Sequence, residues 1–200
     1  MADRRVPRLE TSRLILTLPT ARDADEVLQY AVKNREHLRP WSPPEAPGAR
    51  TIEGAHQRVQ GIQRDFQAGR GVAFWFRKKD SPHGAFIGAA NLSNIILGAF
   101  RACYLGYHLD VDHVGQGFMT EALRAVIRHA FEDLELHRIM ANFMPENERS
   151  GNVLKGLGFT VEGYARDYLY IGSGFRDHVL TALTNTALKD AERLCTRSSW

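Results

Sequence analysis

Cysteine is nearly absent from this chain. Its 200 residues hold two, Cys103 and Cys195, far apart and in no CxxC pair. That argues against a disulfide framework or a metal site, and a reducing cytoplasm is the expected compartment. Long apolar runs are missing too. No stretch is long enough to span a bilayer, and the opening MADRRVPRLE lacks the apolar core of a signal peptide, so no membrane partner is expected. Charge of one sign does not dominate either: 26 Lys and Arg stand against 23 Asp and Glu, a formal net charge of +3. This mild excess suits an anionic ligand or a nucleic-acid-associated substrate without requiring one. Internal repeats and low-complexity tracts are lacking as well.

What is present is the makeup of one globular domain, 44% hydrophobic and 24% charged, long enough to bury a core. The reading is a single domain over residues 1–200, with its core at about 9–186 and a tail at 187–200. RLETSRLILTLP alternates and reads as an opening strand over residues 8–19. TARDADEVLQYAVKNREHL follows as a helix with Thr20 as N-cap. RPWSPPEAPG is a proline-rich loop, and TIEGAHQRVQGIQRDFQAG is a second helix weakened by two glycines. GVAFWFRKK, GAFIGAANLSNIIL and FRACYLGYHLDV read as three strands of an antiparallel meander. After the central helix come a strand (HRIMANFM), a short helix (NERSGNVLKGLGF) and two strands, TVEGYARDYLY and RDHVLTALT.

The centre of the chain is strand, glycine-rich turn, helix, strand, an order that makes the flanking strands parallel. Met119, Leu123, Val126, Ile127, Ala130, Phe131 and Leu134 share one helix face. Gly115 and Gly117 stand just before this helix. They suit a tight turn, and they equally suit a phosphate cradle, because a helix N-terminus offers unpaired N–H groups and partial positive charge. A P-loop needs Gly-Lys-Ser/Thr, which is absent. A Rossmann turn needs a third glycine where Thr120 stands.

The remaining match is to the GNAT acetyltransferases, whose pyrophosphate loop the segment DHVGQG resembles, with Asp112 where the family prefers Gln or Arg. NFMPENERSGNVLKGLGF is similar to the family's next strand and helix, including Leu157-Gly158-Phe159. FRACYLGYHLD, HRIMANFMPENERSG, EGYARDYLYI, TSRLIL and HLRPW extend the likeness to the bacterial ribosomal-protein-alanine N-acetyltransferases of the RimJ type. The resemblance implies an α/β (α+β) GNAT fold: a mixed central sheet with an antiparallel N-terminal meander and a parallel βαβ core, splayed at the acetyl-CoA site. It implies an acetyl-CoA-dependent enzyme, without metal, that acetylates the N-terminal alanine of a small-subunit ribosomal protein in the cytoplasm. Contact with rRNA or a pre-ribosome, and a monomer or a homodimer, stay open.

By the same resemblance, backbone amides of Val114, Gly115, Gln116, Gly117, Phe118 and Met119 hold the pyrophosphate. Tyr107, His108 and Leu109 pair their backbone with the pantetheine arm. Asn147 bonds that arm and Arg149 meets a CoA phosphate, although Asn147 and Ser150 would also serve as plain helix caps. Many relatives use a tyrosine seven residues after the Asn to protonate the leaving thiolate. Leu154 stands there, so Ser150 inherits the role. A relative's glutamate base aligns with Leu169, and Asp167, at the same strand parity, is the expected base. Its alternative role is a surface partner for Arg166. Asp177 is read as an ion-pair partner of Arg176. Trp41, Tyr168 and Tyr170 could line the peptide entrance. Two rivals stay open: an acetyltransferase for a small polycationic amine, which would want an acidic pocket, and a non-catalytic RNA-binding assembly factor.

Overall fold

The structure, a computed structural model, describes residues 6–188. Cys195 and nearly all of the 187–200 tail lie outside the described residues. Eight strands form one sheet: β1 (Arg8–Glu10), β2 (Leu14–Thr17), β3 (Val72–Lys78), β4 (Gly88–Ile96), β5 (Ala102–Leu109), β6 (Arg138–Phe143), β7 (Thr160–Ile171) and β8 (Gly174–Thr184). Their spatial order is β1-β2-β3-β4-β5-β6-β8-β7. All neighbours are antiparallel except β5 and β6. The helices are α1 (Ala24–Lys33), α2 (Arg35–Leu38), α3 (Ile52–Gln67), α4 (Phe118–Arg128) and α5 (Glu148–Gly156). Among the described residues no helix is long and apolar enough to cross a membrane.

Strand alternation divides the core between two faces. Phe74, Phe76, Ala90, Leu92, Cys103 and Leu105 pack with Met119, Leu123 and Val126 of α4 and Leu154 of α5. Trp75 and Ala89 point the other way, onto Val27 and Tyr30 of α1 and Val59 of α3. Cys103 is fully buried, and burial pushes its thiol up to about 12, so it stays protonated and unreactive.

The parallel pair is short. β5 and β6 match only at Ala102↔Arg138, Cys103↔Ile139 and Tyr104↔Met140. Beyond Tyr104, β5 keeps β4 on one side, while β6 runs on beside β8 alone. The sheet therefore splays, and alternate residues of 105–109 turn unpaired N–H and C=O groups into the opening. Arg101 closes the narrow end. Its buried side chain donates to the carbonyls of Glu135 (2.7 Å) and Leu134 (3.3 Å). Its own carbonyl accepts from the amides of His137 and Arg138 at 2.7 and 3.1 Å.

Three local expectations are corrected. Residues 8–19 are not one strand but a hairpin, β1–β2. Thr11 donates its amide to the Leu14 carbonyl (3.0 Å), and the Thr11 hydroxyl accepts from the Leu14 amide (2.9 Å), so Ser12 and Arg13 form the turn. The first helix begins as expected, with the Thr20 amide and hydroxyl both donating to Asp23 (2.7 and 2.8 Å). It breaks at Asn34, however, whose side chain donates to the Tyr30 carbonyl and to Asp110, a competition with helical bonding. The central helix does not end cleanly. It widens into a π-turn at His129–Asp133, closed by Leu134 N–H to His129 O at 3.1 Å. Ala130 and Leu134 stay buried across it, while Ile127 and Phe131 are only partly so.

The two glycines of α3 have opposite reasons to exist. A Cβ on Gly54 would sit 2.2 Å from the Gly48 carbonyl oxygen, so the loop before the helix needs that position bare. A Cβ on Gly61 would meet nothing nearer than the end of Arg64 at 4.0 Å. Gly61→Ala is expected to stabilise the protein by about 0.5–1 kcal/mol. Gly54→Ala is expected to destabilise it despite the better helix propensity. Denaturant titration of both variants checks the opposite signs.

Candidate active site

The strand β5 ends on a buried carboxylate. Asp110 accepts from Lys33 Nζ, Asn34 Nδ2 and His113 Nδ1, each at 2.9 Å, and from the Asp112 amide at 3.1 Å. Burial alone would raise its pKa, but these donors outweigh burial and hold it at about 2. Lys33 also pairs with Asp112 at 2.7 Å. The residue that departs from the family pattern is thus taken up by α1. The chain then turns through Val111–His113 and Val114 into the glycines.

Gly115 and Gly117 have φ of +80° and +78°, a left-handed backbone that other residues adopt only under strain. Gly117 is the N-cap of α4, and no side chain caps the helix. The first-turn N–H groups of Phe118 and Met119, lacking intrahelical partners, face the turn built by Val114, Gly115, Gln116 and Gly117. An uncapped N-terminus on a glycine turn fits the pyrophosphate of acetyl-CoA.

Across this mouth lies Arg13, from the β1–β2 turn. Its Nη1 donates to the Gln116 carbonyl (3.0 Å), its guanidinium sits 4.4 Å from the centre of the Phe118 ring, and its Nε pairs with Glu121 at 2.6 Å. Glu121 also accepts from Thr11 Oγ1 (2.6 Å), Ser12 Oγ (2.9 Å) and the Arg13 amide (2.8 Å). Burial opposes its ionisation, yet these bonds hold it at about 2. Arg13 was not singled out by sequence reasoning. The one hint was TSRLIL, and nothing local ties it to a helix more than 100 residues away.

At the splayed end of the sheet, β5 is tied to α5 through a side-chain contact. Tyr107 of β5 places its hydroxyl 2.7 Å from Ser150 Oγ and donates to the Ser150 carbonyl at 3.3 Å. Burial pushes the phenol up to about 12, with Ser150 pulling the other way, so it remains protonated. Asn147 caps α5, its Oδ1 accepting from the Ser150 amide at 3.2 Å. Arg149 is exposed on the same turn. Leu154 is fully buried. The phenol beside Ser150 thus comes from β5, not from α5.

His108, grouped above with Tyr107 and Leu109 for its backbone, turns its side chain to the opposite face. Nδ1 lies 2.9 Å from Tyr30 Oη, and the ring packs on Tyr30 and Trp75. Burial, helped by the Arg58 charge, lowers its pKa to about 4, so it is neutral. It lines a cavity of about 640 Å³ with Asn34, Arg39, Pro43 and Arg58, under the Gly172–Ser173 turn of the β7–β8 hairpin. Part of RPWSPPEAPG walls this cavity, while Trp41, Tyr168 and Tyr170 are not among its lining residues.

Asp167 lies elsewhere. β7 bulges between Ala165 and Leu169, where Asp167 takes φ +48°. The bulge breaks the alternation on which its parity with Leu169 rested. Asp167 is exposed, its amide donates to Asp177 Oδ1 (2.9 Å), and no described contact joins it to Tyr107 or Ser150. Asp177 also accepts from Tyr164 (2.6 Å), whereas Arg176 pairs with Glu146 at 3.0 Å, not with Asp177.

Both anchoring carboxylates have depressed pKa values in the folded state, about 2 against 3.8 for Asp110 and 4.5 for Glu121. Their stabilisation is present above the unfolded values and is lost as pH falls toward 2, at roughly 2–3 kcal/mol apiece. Thermal melts should show stability falling from about pH 5 downward. Asp110→Asn should melt lower at neutral pH and lose less on acidification.

The chain matches the Acetyltransferase (GNAT) domain family over residues 13–160. It is 46% identical over 177 residues to the [ribosomal protein uS5]-alanine N-acetyltransferase of Escherichia coli, covering 88% of this chain and 90% of that one. Among solved structures it resembles the ribosomal-protein-S5-alanine acetyltransferase of Vibrio fischeri, with TM-score 0.85, 35% identity, and 92% and 99% of the two chains covered. It also resembles Mycobacterium smegmatis RimJ in complex with CoA-disulfide, with TM-score 0.82, 29% identity, and coverage of 94% and 92%.

Proposed function

The chain belongs to the GNAT acetyltransferase family, and from that premise we propose that it acetylates the N-terminal alanine amine of a small-subunit ribosomal protein. The observation that carries the reading is the Tyr107–Ser150 contact, which joins α5 to the stretch of β5 that has parted from β6, beside an uncapped glycine-opened helix. The identity to a uS5-alanine enzyme over most of both chains supports the substrate. One sheet running from Arg8 to Thr184 supports a single catalytic domain.

In this reading the amides of Val114, Gly115, Gln116, Gly117, Phe118 and Met119 bind the pyrophosphate, with Arg13 adding charge at the same mouth. The free edge around Tyr107, His108 and Leu109, together with Asn147, holds the pantetheine, and Arg149 takes a CoA phosphate. Acetyl-CoA supplies an activated thioester. As the amine nitrogen bonds the acetyl carbon and the C–S bond breaks, Ser150 Oγ donates a proton to the departing thiolate, and the Tyr107 phenol restores it. The phenol is itself reprotonated by solvent, which takes up the proton the amine releases. An α-amine has a pKa of roughly 7.7–8.0, so a useful fraction is already neutral near pH 7. The positive lining beside His108 favours that neutral form further. A carboxylate base at Asp167 is therefore not required, and its position gives it no support.

The cavity beside His108 also weighs against a polycationic small-molecule acceptor. Its lining includes Arg35, Arg39, Arg50 and Arg58 against Glu45 alone. A polyamine or aminoglycoside would want the reverse.

Intact-mass spectrometry of ribosomal proteins incubated with the enzyme and acetyl-CoA tests the substrate. One small-subunit protein should gain the mass of one acetyl group at its N-terminus, and no gain on any of them would remove the ribosomal assignment. Ser150→Ala is expected to lower kcat by about a hundredfold with little change in KM for acetyl-CoA. Tyr107→Phe should lower kcat less, because the serine hydroxyl remains.

A further inference from the structure

The cavity on the α1 face is unusual in what it offers a ligand. Its neutral donors and acceptors are largely engaged within the protein. The Tyr30 hydroxyl is bonded to His108 (2.9 Å). The Asn34 side chain donates to Asp110 and to the Tyr30 carbonyl and accepts from the Val111 amide. What remains is guanidinium. Arg50 is held by Glu45 at 2.6 Å, while Arg58 meets the same carboxylate only at 3.9 Å. Arg35 and Arg39 share the well-exposed Glu36 at 3.5 and 3.2 Å. Four arginines thus face one lining glutamate. Guanidinium groups only donate, so the matching ligand is an acceptor, and a carboxylate matches best. The arginines' field reaches β5 itself, because the Arg58 charge helps keep His108, which lines the cavity, neutral.

We propose that this cavity reads a carboxylate carried by the acceptor two to four residues behind its reactive amine, so that the enzyme selects N-termini with early Asp or Glu residues. The proposal rests on the N-terminal acetyltransferase reading above. An extended chain advances about 3.3–3.6 Å per residue. A peptide whose amine lies at the β5–β6 parting therefore sets its next few side chains within the cavity. A basic residue there meets like charge. An RNA strand would need a basic track along the surface, whereas these arginines are gathered around one cavity that the Gly172–Ser173 turn also walls.

The test uses the full chain, acetyl-CoA and three alanine-initiated peptides that differ only at residues three to five, which are all Glu, all Gln or all Lys. The Glu peptide should exceed the Gln peptide about tenfold in kcat/KM, chiefly through KM, with the Lys peptide slowest. Raised salt should narrow the gap. In an Arg39→Gln/Arg58→Gln variant the ratio between Glu and Gln peptides should collapse toward one. Equal turnover of all three peptides by the wild-type protein would overturn the charge selection and leave the acetyltransferase reading intact. Acetylation of none of them, alongside turnover of a small amine, would overturn both. If the variant lost affinity for a short oligoribonucleotide while keeping its peptide preference, the arginines would serve RNA and the proposal would fall.

Discussion

The parting of β5 from β6 after Tyr104 governs the rest of this molecule. A sheet that stayed paired to Leu109 would have satisfied every backbone group and left no passage between its faces. Here Arg101 clamps the narrow end, and at the wide end Tyr107 is bonded to Ser150 of α5. The opening is thus fixed at both ends by side chains, and its two walls differ. One faces the glycine turn and α5, the other the arginine-lined cavity.

The mouth of α4 shows how electrostatics steadies such a site. An uncapped helix N-terminus repels cations and has no side chain to hold it in place. Two carboxylates compensate from opposite directions. Asp110 ties the incoming loop to α1, and Glu121 ties the first helical turn to the β1–β2 hairpin. Both draw on several donors at once, which is why both stay ionised against the cost of burial. The glycines between them can then remain bare, because the shape of the turn is set outside it.

Much of this was legible in the sequence. The strand–glycine–helix–strand core is local: periodicity, two glycines and the NERSG and LGF segments lie within some fifty residues of each other. What was hidden is what the fold brings together from afar. Arg13 reaches Glu121 across 108 positions, and Tyr107 meets Ser150 across 43. Tyr107 was read for its backbone, so its phenol beside Ser150 went unnoticed. His108 was read for its backbone, and only the alternation of β5 shows that its ring belongs to the other face. Asp167 lies away from Tyr107 and Ser150 for a different reason. A bulge shifts the register of β7, and no pattern in TVEGYARDYLY marks it. The hairpin at Ser12 and Arg13 was passed over although the polar run Glu10–Arg13 and the change of apolar parity from Leu9 to Leu14 both mark it.

The placement of β8 has a bearing on how this protein comes into being. β8 follows β7 in the chain yet lies between β7 and β6. During synthesis the outer edge of β6 therefore stands bare until almost the whole domain has emerged. The opening it borders cannot become rigid before that strand slots in. Nascent chains should thus acquire competence abruptly, once β8 joins the sheet, with a sticky unpaired edge exposed until that moment.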